Sequence, residues 1–295
     1  MPFTFMSSLL TLKFLDDYFQ QNSYFKRKAN VADGSTIKLA VLIDADNAPP
    51  SAASLVLAEV AKYGTVFVKR AYGDWTGTNL RGWKEHLLHS SIQPIQQFAY
   101  TKGKNATDAA MIIDAMDLLY SNRFDGFCLV SSDSDFTRLA SRVRESGLVV
   151  YGCGERKTPQ PFVTACDKFI YTENLVPLAP TAPIALMAPG NESSEQTGAL
   201  RIKQEAPSTP ILDSSHLACL RSAIRAYSDE DGWAPLDRVG QFMTRTHPDF
   251  DHRTYGYQKL SKLCDSLPAF VVARIPRDGK ETTVHIRERK QSDSS

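Results

Sequence analysis

The 295-residue chain is poor in several features at once, and each absence narrows what it can be. Its five cysteines (Cys128, Cys153, Cys166, Cys219 and Cys264) are odd in number, far apart and never in a C-x-x-C pair. That excludes a disulfide framework and a structural zinc site of the usual spacing, and it suits a reducing cytoplasm. There is no excess of one charge: 34 basic against 33 acidic side chains leave a formal net charge of +1. No apolar run approaches the ~20 residues that cross a bilayer. Residues 1–15 are fairly apolar but lack a basic leader, contain Lys13, and run into Asp16 and Asp17 without a small-residue cleavage pattern. No glycine-rich phosphate cradle precedes a helix, and Gly152-Cys153-Gly154 reads as a tight turn after a strand. No Cys–His or Ser–His arrangement suggests a covalent nucleophile. What remains is a soluble, cytoplasmic, membrane-free protein with an N-terminal extension, 1–37, of no assigned role.

What is present is an alternation of strand and helix patterns. Leu39-Ala40-Val41-Leu42-Ile43 is a continuous apolar run, the mark of a strand covered on both faces in a parallel sheet. Pro49 and Pro50 open a helix to about Tyr63, where Gly64 ends it. Strands follow at 65–71, 92–98, 126–131, 148–151 and 169–172, with helices at 79–89, 107–120, 136–146 and 161–166 between them. Such alternation over 38–175 predicts an α/β unit with an open, mostly parallel sheet and helices on both faces. Residues 176–213 hold six of the sixteen prolines and no sustained periodicity, which predicts a disordered linker. From 214 to 288 the spacing predicts three helices: Leu217, Leu220, Ile224 and Tyr227; Leu236, Val239, Gly240 and Met243; Tyr257, Leu260 and Leu263. A β-hairpin then turns at Asp278-Gly279, giving a small winged-helix-like α+β unit and a tail, 289–295. This second unit is mildly basic, with 13 basic against 10 acidic residues over 216–290. That is a weak pointer to a polyanion.

The chemistry-bearing residues are aspartates at predicted strand ends, where ligands sit in open α/β sheets. Asp44 and Asp46 follow the first strand, and Asp133 and Asp135 follow the fourth in Leu129-Val130-Ser131-Ser132-Asp133-Ser134-Asp135-Phe136. Asp108 opens the helix leading to that fourth strand. If the strand order reverses beside strand one, these carboxylates converge. Two unit charges ~4 Å apart repel by about 4 kcal/mol at an effective dielectric of 20, so such a cluster calls for a cation. Oxygen ligands without His or Cys select Mg²⁺ or Mn²⁺ over zinc, and such ions support phosphodiester hydrolysis. Each residue alone has a plainer explanation, since Asp133 or Ser134 can cap the next helix and Asp108 can be a first-turn acid. Of the strand-one pair, Asp44 is preferred to Asp46 as the ligand. Asp114 lies about 120° around its helix from Asp108, flanking the site or meeting another chain; Asp117, about 180° away, faces solvent. Lys102, Lys104, Arg70 and Arg81 lie near strand ends, where they can steer a phosphate backbone.

Four segments carry a family resemblance: Leu42-Ile43-Asp44-Ala45-Asp46-Asn47, Lys104-Asn105-Ala106-Thr107-Asp108, Ile113-Asp114-Ala115-Met116-Asp117 and Val130-Ser131-Ser132-Asp133-Ser134-Asp135-Phe136. In this order the stretch 38–175 resembles the NYN domains of the LabA-like group, within the PIN-like nuclease superfamily. The resemblance implies Mg²⁺-dependent ribonuclease chemistry with Asp44, Asp108, Asp133 and Asp135 as catalytic and metal-binding residues. Asp46 and Asp114 would flank the site, and Asn47, Lys104 and Ser132 would meet substrate, Asn47 otherwise supporting the strand-one loop. Residues 214–288 resemble an OST-HTH (LOTUS) domain through Trp233, Leu236, Val239, Gly240, Pro248, Phe250, Tyr255, Gly256, Tyr257, Leu260 and Leu263. That likeness implies RNA binding, or docking of a protein partner. Arg253, Lys259, Lys262, Arg274 and Arg277 are the candidates to hold phosphates.

Two rivals bear on the same residues. Asp44-Ala45-Asp46 superficially fits a haloacid dehalogenase phosphatase, but Asn47 stands where Thr or Val is expected, and Asp133 and Asp135 are too close for that family's acidic pair. The other rival is a non-catalytic RNA-binding or scaffold protein that keeps the fold. The RNA target, endo- or exonuclease mode and oligomeric state are not written in the sequence, and a dimer is compatible with it.

Overall fold

A computed structural model describes residues 36–98, 106–176, 212–277 and 280–289, with only the backbone for 276–277 and 280–281. The linker expected at 176–213, the extension 1–37, Lys102, Lys104 and the Asp278-Gly279 turn fall largely or wholly outside the described residues, as does the side chain of Arg277. The chain divides into two compact units, Met1–Leu175 with Asp237–Asp251, and Val176–Leu236 with His252–Ser295.

The first unit is built on six strands: β1 (Lys38–Asp44), β2 (Thr65–Gly73), β3 (Gln93–Gln96), β4 (Gly126–Val130), β5 (Val149–Gly154) and β6 (Lys168–Tyr171). Their order in the sheet is β3-β2-β1-β4-β5-β6, and every pairing is parallel. The expected α/β sheet is therefore present, with the order reversing between β1 and β4. Among the described residues five helices cover it: α1 (Ala52–Val60), α2 (Trp83–Ser90), α3 (Ala106–Tyr120), α4 (Thr137–Glu145) and α5 (Gln160–Ala165).

Period-two alternation along β1 decides what each face carries. Leu39, Val41 and Ile43 enter one core with Ala53, Val56 and Val60 of α1 and Trp83 and Leu87 of α2. Ala40 and Leu42 enter the other with Met111 and Ala115 of α3, Leu139 and Val143 of α4, and Phe162 of α5. Both sets on β1 are fully buried, which is why the strand reads as an unbroken apolar run. Burying each of the leucine, valine and isoleucine side chains stabilises by roughly 1.5–3 kcal/mol. The next residue on the Ala40–Leu42 face is Asp44, so the strand delivers its terminal carboxylate to the side on which α3 lies.

Three local expectations need correction. Gly152-Cys153-Gly154 is not a turn but the last part of β5. Its glycines answer close packing: a Cβ at Gly152 would lie 2.4 Å from the Phe169 ring, and one at Gly154 would lie 2.5 Å from the Ser131 carbonyl. The helix expected from residue 79 begins only at Trp83, because 79–82 form turns. The helix ending near Tyr63 stops at Val60, where backbone amides turn back on Leu57, Glu59 and Val60 before Gly64.

The C-terminal region holds α6 (Ser214–Tyr227), β7 (Ala234–Pro235), α7 (Leu236–Thr246), α8 (Leu260–Asp265), β8 (Phe270–Arg277) and β9 (Lys280–Glu288). β8 and β9 form the expected hairpin, and β7 adds a short antiparallel strand that the sequence did not announce, giving the order β7-β9-β8. Tyr257 precedes α8 rather than belonging to it, and a 3₁₀ turn at His252–Tyr255 stands before it. Tyr255 is buried, its hydroxyl 2.6 Å from the His216 ring nitrogen, so this tyrosine is a core residue.

Candidate acidic metal site

The site lies at the carboxyl ends of β1 and β4, where the sheet order reverses. Asp44 is fully buried. Its Oδ2 accepts hydrogen bonds from Asn47 Nδ2 and Ser131 Oγ, both at 2.8 Å, and its Oδ1 accepts the Asp46 amide at 3.2 Å. Burial raises its pKa above the ordinary carboxylate value, an effect opposed by the Asn47 and Ser131 bonds. Ser131 owes its place to register: β1 and β4 pair up to Ile43 opposite Val130, so the next residue of each strand meets across the sheet. The Ser131 hydroxyl also accepts the Asp133 amide at 3.0 Å, tying Asp44 to the loop that carries the next two aspartates.

Asp133 caps the 3₁₀ turn Ser134–Phe136, its Oδ1 accepting the Asp135 amide at 2.9 Å. The capping role anticipated for it is thus real, and it coexists with membership of the cluster. Phe136 is fully buried and locks the turn into the α3–α4–α5 core. Asp108, in the first turn of α3, is 8% exposed. One carboxylate oxygen from each of Asp108, Asp133 and Asp135 lies within 4.8 Å of the others. Burial first, then the charges of Asp44, Asp133, Asp135 and Asp46, push the Asp108 pKa up to about 6. Five carboxylates therefore share one electrostatic neighbourhood. Asp46 stands at its solvent side, exposed, accepting the Thr107 hydroxyl at 2.8 Å.

Other expected residues fall elsewhere. Asp114 is drawn away from the cluster into contacts with Arg70 and the Tyr72 hydroxyl, which tie α3 to β2. Arg70 is thereby committed to a carboxylate rather than displayed at the strand end. Ser132 Oγ accepts the Glu155 amide at 2.9 Å, joining the β4 loop to the end of β5. Asp117 is exposed. In the second unit Lys259 and Lys262 are exposed and Arg253 is half-buried, while Arg274 pairs with Asp265 at 2.6 Å. Trp233 lies beneath the Arg287 guanidinium, 4.8 Å from the ring centre. Ser131 and Thr107 went unrecognised in the sequence. For Ser131 the available signal was the strand-end alignment of β1 and β4.

A cluster of oxygen donors with no imidazole or thiolate among the three closest residues fits a hard divalent cation. Comparison with known proteins agrees with the fold. Residues 38–175 match the NYN domain and residues 214–282 the OST-HTH/LOTUS domain, so the chain carries both. The NYN domain belongs to the PIN-like nuclease superfamily. A Vibrio parahaemolyticus protein of unknown function, solved by crystallography, is 20% identical over 46% of this chain and 93% of its own, with a TM-score of 0.40. An uncharacterized Nitrosomonas europaea protein, solved by NMR, is 27% identical over 34% of this chain and 94% of its own, with a TM-score of 0.26. A Chromobacterium violaceum protein, also solved by NMR, is 33% identical over 24% of this chain and 77% of its own, with a TM-score of 0.21. No curated protein matches the chain. Among the described residues no helix is long and apolar enough to cross a membrane.

Proposed function

We propose that this protein is a Mg²⁺- or Mn²⁺-dependent ribonuclease that hydrolyses phosphodiesters at the aspartate cluster and is brought to its RNA by the OST-HTH domain. The observation that carries the reading is the grouping of Asp108, Asp133 and Asp135 beside buried Asp44 at the switch point of an NYN sheet. Asp44, Asp108, Asp133 and Asp135 would hold the cation. When bound, it supplies Lewis-acid polarisation of the phosphate and lowers the pKa of attacking water. The protein's own groups do the rest. Ser131 and Asn47 hold Asp44 in one rotamer by donating hydrogen bonds to its Oδ2. Its own burial in the first turn of α3 holds Asp108, and the cap at Asp133 holds the loop, so the carboxylates are preorganised rather than gathered on binding.

The site stands at the strand ends, with Asp46 and Asp135 exposed at its rim, an arrangement that admits a flexible single strand or loop more easily than a rigid A-form duplex. Target choice falls to the OST-HTH domain, whose covalent attachment to the NYN domain would raise the local RNA concentration at the aspartates. Cytoplasmic location is part of the same proposal. The test is cleavage of single-stranded RNA, duplex RNA and single-stranded DNA in Mg²⁺, Mn²⁺ and EDTA, with Asp133→Asn alongside. Metal-dependent cutting of single-stranded RNA, lost in EDTA and in the variant, is expected. Cutting that survives in EDTA removes the acidic site from the chemistry, and intact RNA in both metals leaves a non-catalytic RNA-binding protein.

A further inference from the structure

A concavity with a volume of about 770 Å³, within the range of small-molecule sites, lies between α2 and the edge strand β3. Trp75, Leu80, Arg81, Lys84, Leu88 and Pro94 are among its lining residues. The local sequence explains why it stays open. β3 is the edge strand, only four residues long with Pro94 inside it, and among the described residues nothing pairs beyond it in the sheet. α2 turns buried Trp83 and Leu87 into the core and leaves Leu88 73% exposed at the rim. Trp75 is held rigidly: its indole N–H donates to the Ile95 carbonyl at 2.9 Å, and its ring packs edge-on to Trp83 with centroids 6.5 Å apart.

The lining has the composition of a nucleotide site. It offers a fixed indole and aliphatic walls together with two cations, and no described lining residue carries a carboxylate. Single-stranded nucleic acids are held by this combination, bases on apolar and aromatic surface and phosphates on cations. The groove wall also comes near the exposed rim of the acidic cluster, at Asp46. Gly73 closes β2, and a Cβ there would lie 2.4 Å from Leu80 Cδ1 and 3.5 Å from Asp46 Oδ1. One residue therefore separates the groove wall from the rim of the acidic site. The aspartates repel the very backbone they would cut, so a neighbouring cationic and apolar groove supplies the attraction the cluster lacks.

We infer that this groove is a base-binding subsite for an unpaired nucleotide flanking the phosphodiester held at the aspartates, an inference that rests on the ribonuclease reading above. Trp75 and Leu80 would contact the base, and Arg81 and Lys84 its adjoining phosphates. The test uses the full-length protein and a single-stranded RNA carrying 4-thiouridine, cross-linked by long-wavelength light and mapped by mass spectrometry. Cross-links within residues 75–94 are expected. Arg81→Glu with Lys84→Glu should lower their yield by about tenfold and raise KM for RNA by a similar factor. Leu88→Asp, at an exposed position, gives a second variant with the same expected direction, and Mn²⁺ binding to each variant checks the fold. RNA that is cut normally without cross-links in 75–94, or with a yield unmoved by both variants, overturns the groove proposal. Cross-links at these residues with no cutting in Mn²⁺ uphold the groove and overturn the ribonuclease reading.

Discussion

Asp108→Asn in the metal-free protein separates an acidic site from an ordinary surface cluster. The Asp108 carboxyl is pushed from 3.8 up to about 6, by burial first and then by four neighbouring aspartates. A folded-state value above the unfolded one means that folding favours the protonated acid. That contribution is fully present below about pH 3.8 and is lost as pH rises through about 6. At neutral pH the wild type therefore folds against a charge that asparagine does not carry. At roughly 1.4 kcal/mol per pH unit, the interval corresponds to about 3 kcal/mol at most. In EDTA the variant should equal the wild type near pH 4, gain on it up to pH 6, and exceed it by up to about 3 kcal/mol at pH 7. Saturating Mn²⁺ should erase the gap, since binding at a hundredfold excess over Kd stabilises only the wild type, by about 2.7 kcal/mol. Urea unfolding at pH 4.5, 6 and 7.5, with EDTA and with Mn²⁺, measures each quantity. A variant less stable than wild type at every pH in EDTA, or one that Mn²⁺ stabilises equally, would refute the reasoning.

Ser131→Ala removes the hydroxyl that bonds Asp44 and the Asp133 amide; calorimetry should find Mn²⁺ affinity reduced by roughly 10–100-fold, and unchanged affinity would dismiss the positioning role. Gly154→Ala would place a Cβ 2.5 Å from the Ser131 carbonyl and 2.7 Å from Thr158 Oγ1; it should cost about 1–3 kcal/mol in denaturation and weaken Mn²⁺ binding together. Asp114→Asn loosens the tie of α3 to Arg70 and Tyr72; a loss of roughly 1–3 kcal/mol with Mn²⁺ still bound is expected, and abolished binding would move Asp114 into the metal site. A fragment ending at Val176 should cut whatever the full chain cuts but hold RNA less tightly. Residues 212–295 alone should bind RNA with an affinity that falls with salt in fluorescence anisotropy. Salt-insensitive or absent binding would favour a protein partner for the second domain.

The sequence by itself determined the sheet and its helices. The unbroken run Leu39–Ile43 is legible because β1 has a neighbour on each side and a core on each face. It also placed the aspartates at strand ends, since the transition from apolar run to Asp44 or Asp133 is a local pattern. Asp117 on the solvent side of α3 followed from helical period alone. Tertiary structure decided what depends on pairing between distant segments. Ser131 reaches Asp44 across 87 residues through the β1–β4 register, and Asp114 leaves the cluster because Arg70 and Tyr72 of β2 claim it. Gly152 and Gly154 look like turn residues in one dimension, and only the packing of Phe169 and the Ser131 carbonyl against them makes them strand. The β7 strand is two residues long, too short for any periodicity to announce, and it exists because β9 offers it a free edge. Alternation and turn chemistry act within a few residues and so are written in order along the chain, whereas side-chain partners are chosen by which strands come to lie side by side.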